Sequence, residues 1–383
     1  MSAFAPALQR LRDEMSAVTS VCTFLDHAAI SPLPRRVRDA MVQYLDNRLV
    51  TFGFMDREEE GIPERLRKTV ARFINAAPEE IAIVQNTSHG LNLVAQSLPF
   101  RPGDNILFCD MEFPSNVYPW MLLERQKGVE ARCIPNDDGG LTVEALERYA
   151  DRRTRAVAVS SVEFLTGFRT DLAAIGQWCR EHGAYFIVDG IQSLGAIPMD
   201  VQAYGIDFLA CGGPKWLMGP VGIGFLYCRR ERLDEMMPPM AGCLSVVNWQ
   251  EWRQYDLTFL PDAHRFDLGG PNLVGMTGLM AAIELLTEVG VENIHQWTLH
   301  LTDLLIEDLQ RRGYTVVSNL DPRHRSAIVS FAVPGDPQKA HARLKEAKVA
   351  VSLRESYIRV SPHGYNTEEE VLRVGEVLGN ALA

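Results

Sequence analysis

An α/β fold, with a mainly parallel sheet covered by helices, is what this chain of 383 residues predicts, on three observations. Short apolar runs recur between Ile81 and Cys228, and helical patterns separate most of them. After about Arg265 the texture changes to that of a smaller α+β unit.

The runs are IAIV (Ile81–Val84), NILFC (Asn105–Cys109), AVAVSSV (Ala156–Val162), AYFIV (Ala184–Val188), DFLAC (Asp207–Cys211) and GIGFLYC (Gly222–Cys228). They are too short for helices. They carry few charges on either alternation phase, as strands buried on both faces do. Helical patterns cover Ser88–Ser97, Leu141–Ala150 and Asp171–His182. The last opens on Asp171 as its cap and closes on Gly183. Alternation of this kind predicts a parallel sheet. Beyond Pro271 a long helical pattern runs to Val289, and a second, Glu292–Arg312, stops at Gly313. Strands YTVVS, SAIVSFAV and YIRVS then alternate with two more helices. The expected organisation is a segment 1–20 packing on the small domain, a large ligand-binding domain 21–268 and a small C-terminal domain 269–383.

Composition narrows the function classes. Lys+Arg 38 against Asp+Glu 49 gives a net charge of −11, with no basic stripe to offset it. That argues against nucleic acid and anionic membranes as partners. The first residues, MSAFAPALQRLRDEM, lack the continuous apolar stretch of a signal peptide. No run approaches the roughly 20 apolar residues needed to span a bilayer. Seven dispersed cysteines with no C-x-x-C spacing read as reduced core residues of a cytoplasmic protein. No metal-ligand pattern stands out.

Lysine is rare, and five of the six (Lys68, Lys127, Lys339, Lys345, Lys348) sit among charged neighbours. Lys215 alone lies in an apolar, glycine-rich segment, CGGPKWLMGPVGIGF, just after a buried strand pattern. Desolvation there lowers an amine's pKa toward the range where it is a nucleophile. The alternative is a lysine snorkelling from a strand end. Asp189 ends AYFIVDGIQS at the carboxyl end of a buried strand, facing the crevice where open α/β sheets bind ligands. Pyridoxal-phosphate (PLP) chemistry needs such a carboxylate against the pyridine nitrogen, together with a lysine amine. IAIVQNTSHGLNLVA supplies a strand, a turn and a helix start at which Thr87 and Ser88 would bind an anion. An ordinary helix cap explains the same residues.

The chain resembles the class V aminotransferase family of fold-type-I PLP enzymes, which includes cysteine desulfurases, selenocysteine lyases, kynureninase and isopenicillin N epimerase. The resemblance runs from LDHAAISPLP (Leu25–Pro34) through NTSHGLNLVAQSL, DMEFPSNVYPW, FIVDGIQSLG, PKWLMGPVGIGFLY and RFDLGGPN to VSPHGYNTEEEV (Val360–Val371). It implies Lys215 as the Schiff-base lysine, Asp189 as the pyridine-nitrogen partner and Gln192 as hydrogen-bonded to the ring hydroxyl. Thr87 and Ser88 match the phosphate loop, and Phe113 the position that stacks on the ring. Arg359 matches the clamp on the substrate carboxylate, a role suited to guanidinium; a surface Glu partner is the other reading. The family's homodimers share their active sites, and Gly269–Asn272, with Gly270 at its centre, would approach the partner's phosphate. His89 and His363 read as hydrogen-bonded structural histidines.

The chain departs from the cysteine-desulfurase pattern. VAVSLRESYIRVSP is short and cysteine-free where desulfurases carry a persulfide-forming cysteine. Phe113 replaces the desulfurase histidine. Glu163-Phe164 replaces a Ser-Asn pair, and Gly212 and Gly270 replace hydroxyl residues at the phosphate. The resemblance therefore implies a PLP enzyme acting on a small amino acid through an external aldimine. The chemistry expected is that of an aminotransferase or carbon–sulfur lyase without a persulfide cysteine. An isopenicillin N epimerase-like epimerase or racemase and a non-catalytic PLP-binding protein are the alternatives. A dinucleotide-binding oxidoreductase falls behind, because GPVGIG is not G-x-G-x-x-G and precedes a strand.

Overall fold

The computed structural model describes residues 6–51 and 61–381. Its centre is a seven-stranded sheet. In spatial order the strands are Ile81–Val84, Gly224–Cys228, Phe208–Gly212, Tyr185–Asp189, Thr154–Ser160, Asn105–Cys109 and Glu130–Ile134. All neighbours pair in parallel except Gly224–Cys228, which runs antiparallel to both of its own. Successive residues of one strand feed two different cores. Leu107, Val157, Val159, Phe186 and Val188 enter one, whereas Ile106, Phe108, Ala156, Ala158 and Ile187 enter the other. Helices cover both faces, which is why these strands read as apolar runs without alternation. The mainly parallel, helix-covered sheet is thus as expected.

The differences have physical reasons. Strand Glu130–Ile134 lies at the sheet edge, half-exposed, and its sequence EARCI carries two charges, so no apolar run announces it. The helices Arg35–Thr51 and Ile62–Ile74 precede the first apolar run; the second is clearly amphipathic, burying Leu66, Val70 and Ile74 and ending at Asn75 with φ 58°. Helix Leu172–His182 is capped by the Asp171 side chain, which accepts from the Ala174 N–H at 3.0 Å, and ends at Gly183 with φ 65°. Both ends follow the sequence pattern.

Beyond the large sheet, helix Leu273–Val289 packs against Arg35–Thr51 and Ile62–Ile74. A four-stranded antiparallel sheet follows in the order Ser352–Arg354, Tyr357–Val360, Val329–Ala332, Thr315–Val316. The N-terminal segment reaches this end of the chain. Arg12 donates to the Tyr365 carbonyl at 2.8 Å and pairs with Glu370 at 2.9 Å, and Thr23–Phe24 pairs in parallel with Val349–Ala350. Among the described residues no single helix is long and apolar enough to cross a membrane, and no group of His, Cys, Asp and Glu is arranged to hold a metal.

Candidate active site

Asp189 is the last residue of its strand, in register with Ser160 on one side and Ala210 on the other. Its buried carboxylate accepts from the Ile191 N–H at 2.9 Å. Burial raises its pKa to about 6, against the opposing pull of that N–H and of Lys215. Lys215 follows the neighbouring strand Phe208–Gly212, so the sheet brings the two side chains together. Burial lowers the Lys215 amine to about 8, with Asp189 acting to keep it charged and Arg359 acting against it. The result is an amine largely protonated but with an accessible neutral form at neutral pH. Its Nζ stands 5.6 Å from the centroid of the Phe113 ring. Phe113 in turn meets Phe164 edge-on at 5.2 Å. The two phenylalanines make one wall apolar.

Arg359 lies on strand Tyr357–Val360, in register with Ser352 and Ser330. It is buried to 1% exposure. Nη1 donates to the Phe164 carbonyl at 2.7 Å, and Nη2 reaches Ser352 Oγ at 3.4 Å and Asp26 at 3.5 Å. Among the described residues Nε has no partner. A buried guanidinium donor left open is costly unless a ligand meets it. No surface Glu holds this arginine; its carboxylate is Asp26, whose own pKa burial raises.

Thr87 and Ser88, expected to meet an anion, open helix Thr87–Ser97. Asn86 caps it by accepting from the His89 N–H at 2.9 Å. Thr87 Oγ1 accepts from the Gly212 N–H at 3.0 Å, which ties the helix start to the strand that leads to Lys215. Ser88 Oγ donates to Ser115 Oγ at 2.8 Å. Gly90 lets helix and strand touch, since a Cβ there would stand 2.9 Å from Ala210 Cβ. Gly90→Ala is therefore expected to cost about 2 kcal/mol, read as a lower urea midpoint at unchanged slope.

Gln192 has its amide oriented by two bonds. Oε1 accepts from Trp216 Nε1 at 2.8 Å and Nε2 donates to the Ala28 carbonyl at 3.0 Å. Gly270 stands apart from this group. With φ 53° it lines a crevice of about 450 Å³ beside Asn86, His89, Gly222 and Asn272. His89 Nδ1 accepts from the Gln85 N–H at 3.3 Å, and His363 bonds to the backbone at both ring nitrogens.

Two buried glutamates complete the site. Glu112 accepts from the Ser160 N–H at 2.5 Å and from Ser160 Oγ at 2.6 Å. Burial and Asp189 push its pKa up to about 8 despite those donors. Glu163, buried with Oε2 unpartnered, is raised well above the usual range by burial, then by Glu112 and Asp189. The sequence marks Glu163 only as a departure. Glu112 carries no signal beyond its place after a buried strand.

The cysteines correct one expectation. Cys109, Cys179, Cys211 and Cys228 are buried, but Cys133 and Cys243 are exposed and Cys22 is half-buried. Cys133 sits on the exposed edge strand and Cys243 in an irregular segment, so apolar neighbours in sequence did not bury them.

The family model described as aminotransferase class-V matches residues 23–374. A probable cysteine desulfurase of Methanothermobacter thermautotrophicus is 33% identical over 378 residues, covering 93% of each chain. A cysteine desulfurase of Shigella sonnei is 33% identical over 372 residues, covering 92% of this chain and 91% of that one. Among solved structures, the cysteine desulfurase CsdA of Escherichia coli superposes with a TM-score of 0.88 at 26% identity, over 98% of both chains. The apo cysteine desulfurase of Thermococcus onnurineus gives 0.86 at 29%, over 94% and 95%.

The donor set fits PLP: a half-buried amine, a buried carboxylate one strand away, a capped helix start and an aromatic plate. Sheet topology, side chains and the match along nearly the whole chain converge, and the protein belongs to the class V aminotransferase family of PLP-dependent enzymes.

Proposed function

We propose that the chain acts on a small sulfur-containing α-amino acid by carbon–sulfur lyase-type chemistry, releasing sulfur without a persulfide cysteine. The observation that carries this is the hairpin Ser352–Val360, which turns tightly at Glu355 (φ 52°) and holds no cysteine. The relatives named cysteine desulfurases support sulfur chemistry at this fold. Transamination to a keto acid is the second reading, favoured by the same Lys215 amine beside Asp189.

Lys215, Asp189, Gln192, Thr87, Ser88 and Phe113 would hold PLP, with the partner's Gly270 completing the phosphate site in a homodimer. Bound PLP supplies an electron sink that stabilises negative charge at the substrate's α-carbon. The chain's residues do the rest. Arg359 receives the substrate carboxylate through Nε and Nη2, the donors the protein leaves least satisfied. The Lys215 amine takes the α-proton in its neutral form, which its lowered pKa makes available. Asp189 holds a proton on the ring nitrogen. Phe113 and Phe164 keep water from the reacting face and offer no proton to it.

Two measurements test this. Sulfide release from cysteine in Cys133→Ser/Cys243→Ser should stay within about twofold of the parent, because no thiol takes part. A fall to background would show that one of the exposed cysteines accepts sulfur, and would overturn the reading. Arg359→Lys should raise KM about tenfold with a smaller change in kcat, since lysine keeps the charge and loses the fork. An unchanged KM would remove Arg359 from the substrate.

A further inference from the structure

Three consecutive carbonyls at the lysine are each capped from outside. The Ser31 N–H donates to Pro214 C=O at 2.8 Å and Ser31 Oγ donates to Lys215 C=O at 2.6 Å. His363 Nε2 lies 3.1 Å from Trp216 C=O. Behind Ser31 stands His27, with Nδ1 2.6 Å from Ser31 Oγ and Nε2 2.9 Å from the Tyr365 hydroxyl. The Gln192 side chain closes a ring of bonds, from Trp216 Nε1 to the carbonyl of Ala28, the residue after His27.

The directions follow from the protons available. Ser31 has one hydroxyl proton, and the Lys215 carbonyl can only accept it. His27 Nδ1 must then be the donor to Ser31 Oγ, and Nε2 the acceptor from Tyr365. His363 is set the other way. Its Nδ1 accepts from the Gly364 N–H at 2.8 Å, which leaves Nε2–H for Trp216. Both rings are fully buried, 5.0 Å apart, among Phe24, Trp216 and Tyr365, and no carboxylate bonds to either. Burial holds both below the usual histidine range, so both are neutral, as the directions require.

We infer that His27 and Ser31 are positioning residues, a directional clamp from Tyr365 through His27 to the Lys215 carbonyl that fixes where the amine is presented. The clamp joins the N-terminal segment, the lysine loop and the residues after the last strand. This inference rests on Lys215 being the residue that carries PLP.

Asparagine places an amide nitrogen near the histidine Nδ1 position and glutamine near Nε2. His27→Asn therefore keeps the donor to Ser31, and His27→Gln loses it. Unloaded protein is titrated with PLP, and attachment to Lys215 is trapped with borohydride and counted by mass spectrometry. The attachment constant should stay within about twofold in His27→Asn and fall about tenfold in His27→Gln and Ser31→Ala, at equal melting temperatures. Equal constants in the two His27 variants, or a parental constant in Ser31→Ala, overturn the clamp. Ser31→Ala removes a single hydroxyl, so it decides the matter if the His27 variants fail to fold. If the parent attaches no PLP at Lys215, the cofactor assignment fails instead. The clamp is then judged in unloaded protein by the ring-nitrogen NMR shifts of His27. Protonation at Nδ1 supports it, and protonation at Nε2 overturns it.

Discussion

Lys215→Ala should lose α-proton exchange by at least about 10³-fold while keeping its fold, because it removes the amine that faces Asp189. The measurement is proton NMR of the PLP-supplemented variant with a panel of amino acids in deuterated water. Far-UV circular dichroism and a melting curve confirm the fold. The side chain is half-buried, and its loss removes an amine whose charged form burial disfavours, so stability should change little. In the parent, exchange should rise with pH through about 8, where the amine becomes neutral. The variant's residual exchange should lack that limb. Exchange within tenfold of the parent would mean another group takes the proton, and the assignment of Lys215 as base would fall.

The site was legible to different depths. Lys215 stood out because its neighbours are apolar while those of the other lysines are charged. Asp189 stood out because a carboxylate ends a buried strand; the sheet brings both to one place. Thr87 and Ser88 followed from the strand–turn–helix pattern, and the helix cap proved to be Asn86. Phe113, Gln192, Arg359 and Gly270 came from resemblance alone, since an aromatic, an amide, a strand arginine and a glycine carry no chemistry in isolation. The His27–Ser31–Lys215 clamp was invisible, because its parts lie 184 residues apart in sequence and meet only through tertiary packing. Glu112 stayed hidden for a related reason. Its partner Ser160 belongs to another strand, and burial of an acid on a loop has no local signature. The sheet was read well where strands are covered on both faces and poorly at the edge strand Glu130–Ile134, where solvent permits charge.

Glu163→Gln should make the unloaded protein more stable at alkaline pH, by about 2 kcal/mol at about pH 9, and leave it unchanged below about pH 4. Glu112 and Glu163 are both held above the ordinary carboxyl range, Glu112 at about 8. Between the unfolded value of about 4.3 and those raised values the folded chain binds more protons than the unfolded one. Their contribution to stability is full below the unfolded value and is lost as pH rises through about 8. Glutamine cannot ionise, so the variant escapes the penalty of a second buried negative charge next to Glu112 and Asp189. Melting temperatures of the two proteins across pH give the test. Curves that stay parallel from about pH 4 to pH 8 would mean that Glu163 already ionises without cost, and its burial would then have to be relieved by something that reaches the unpartnered Oε2. A widening gap would establish a neutral acid beside Asp189. That neutrality matters to the chemistry. With Glu112 and Glu163 both charged, Asp189 would be pressed to take up a proton itself, and a protonated Asp189 could no longer keep the cofactor nitrogen charged.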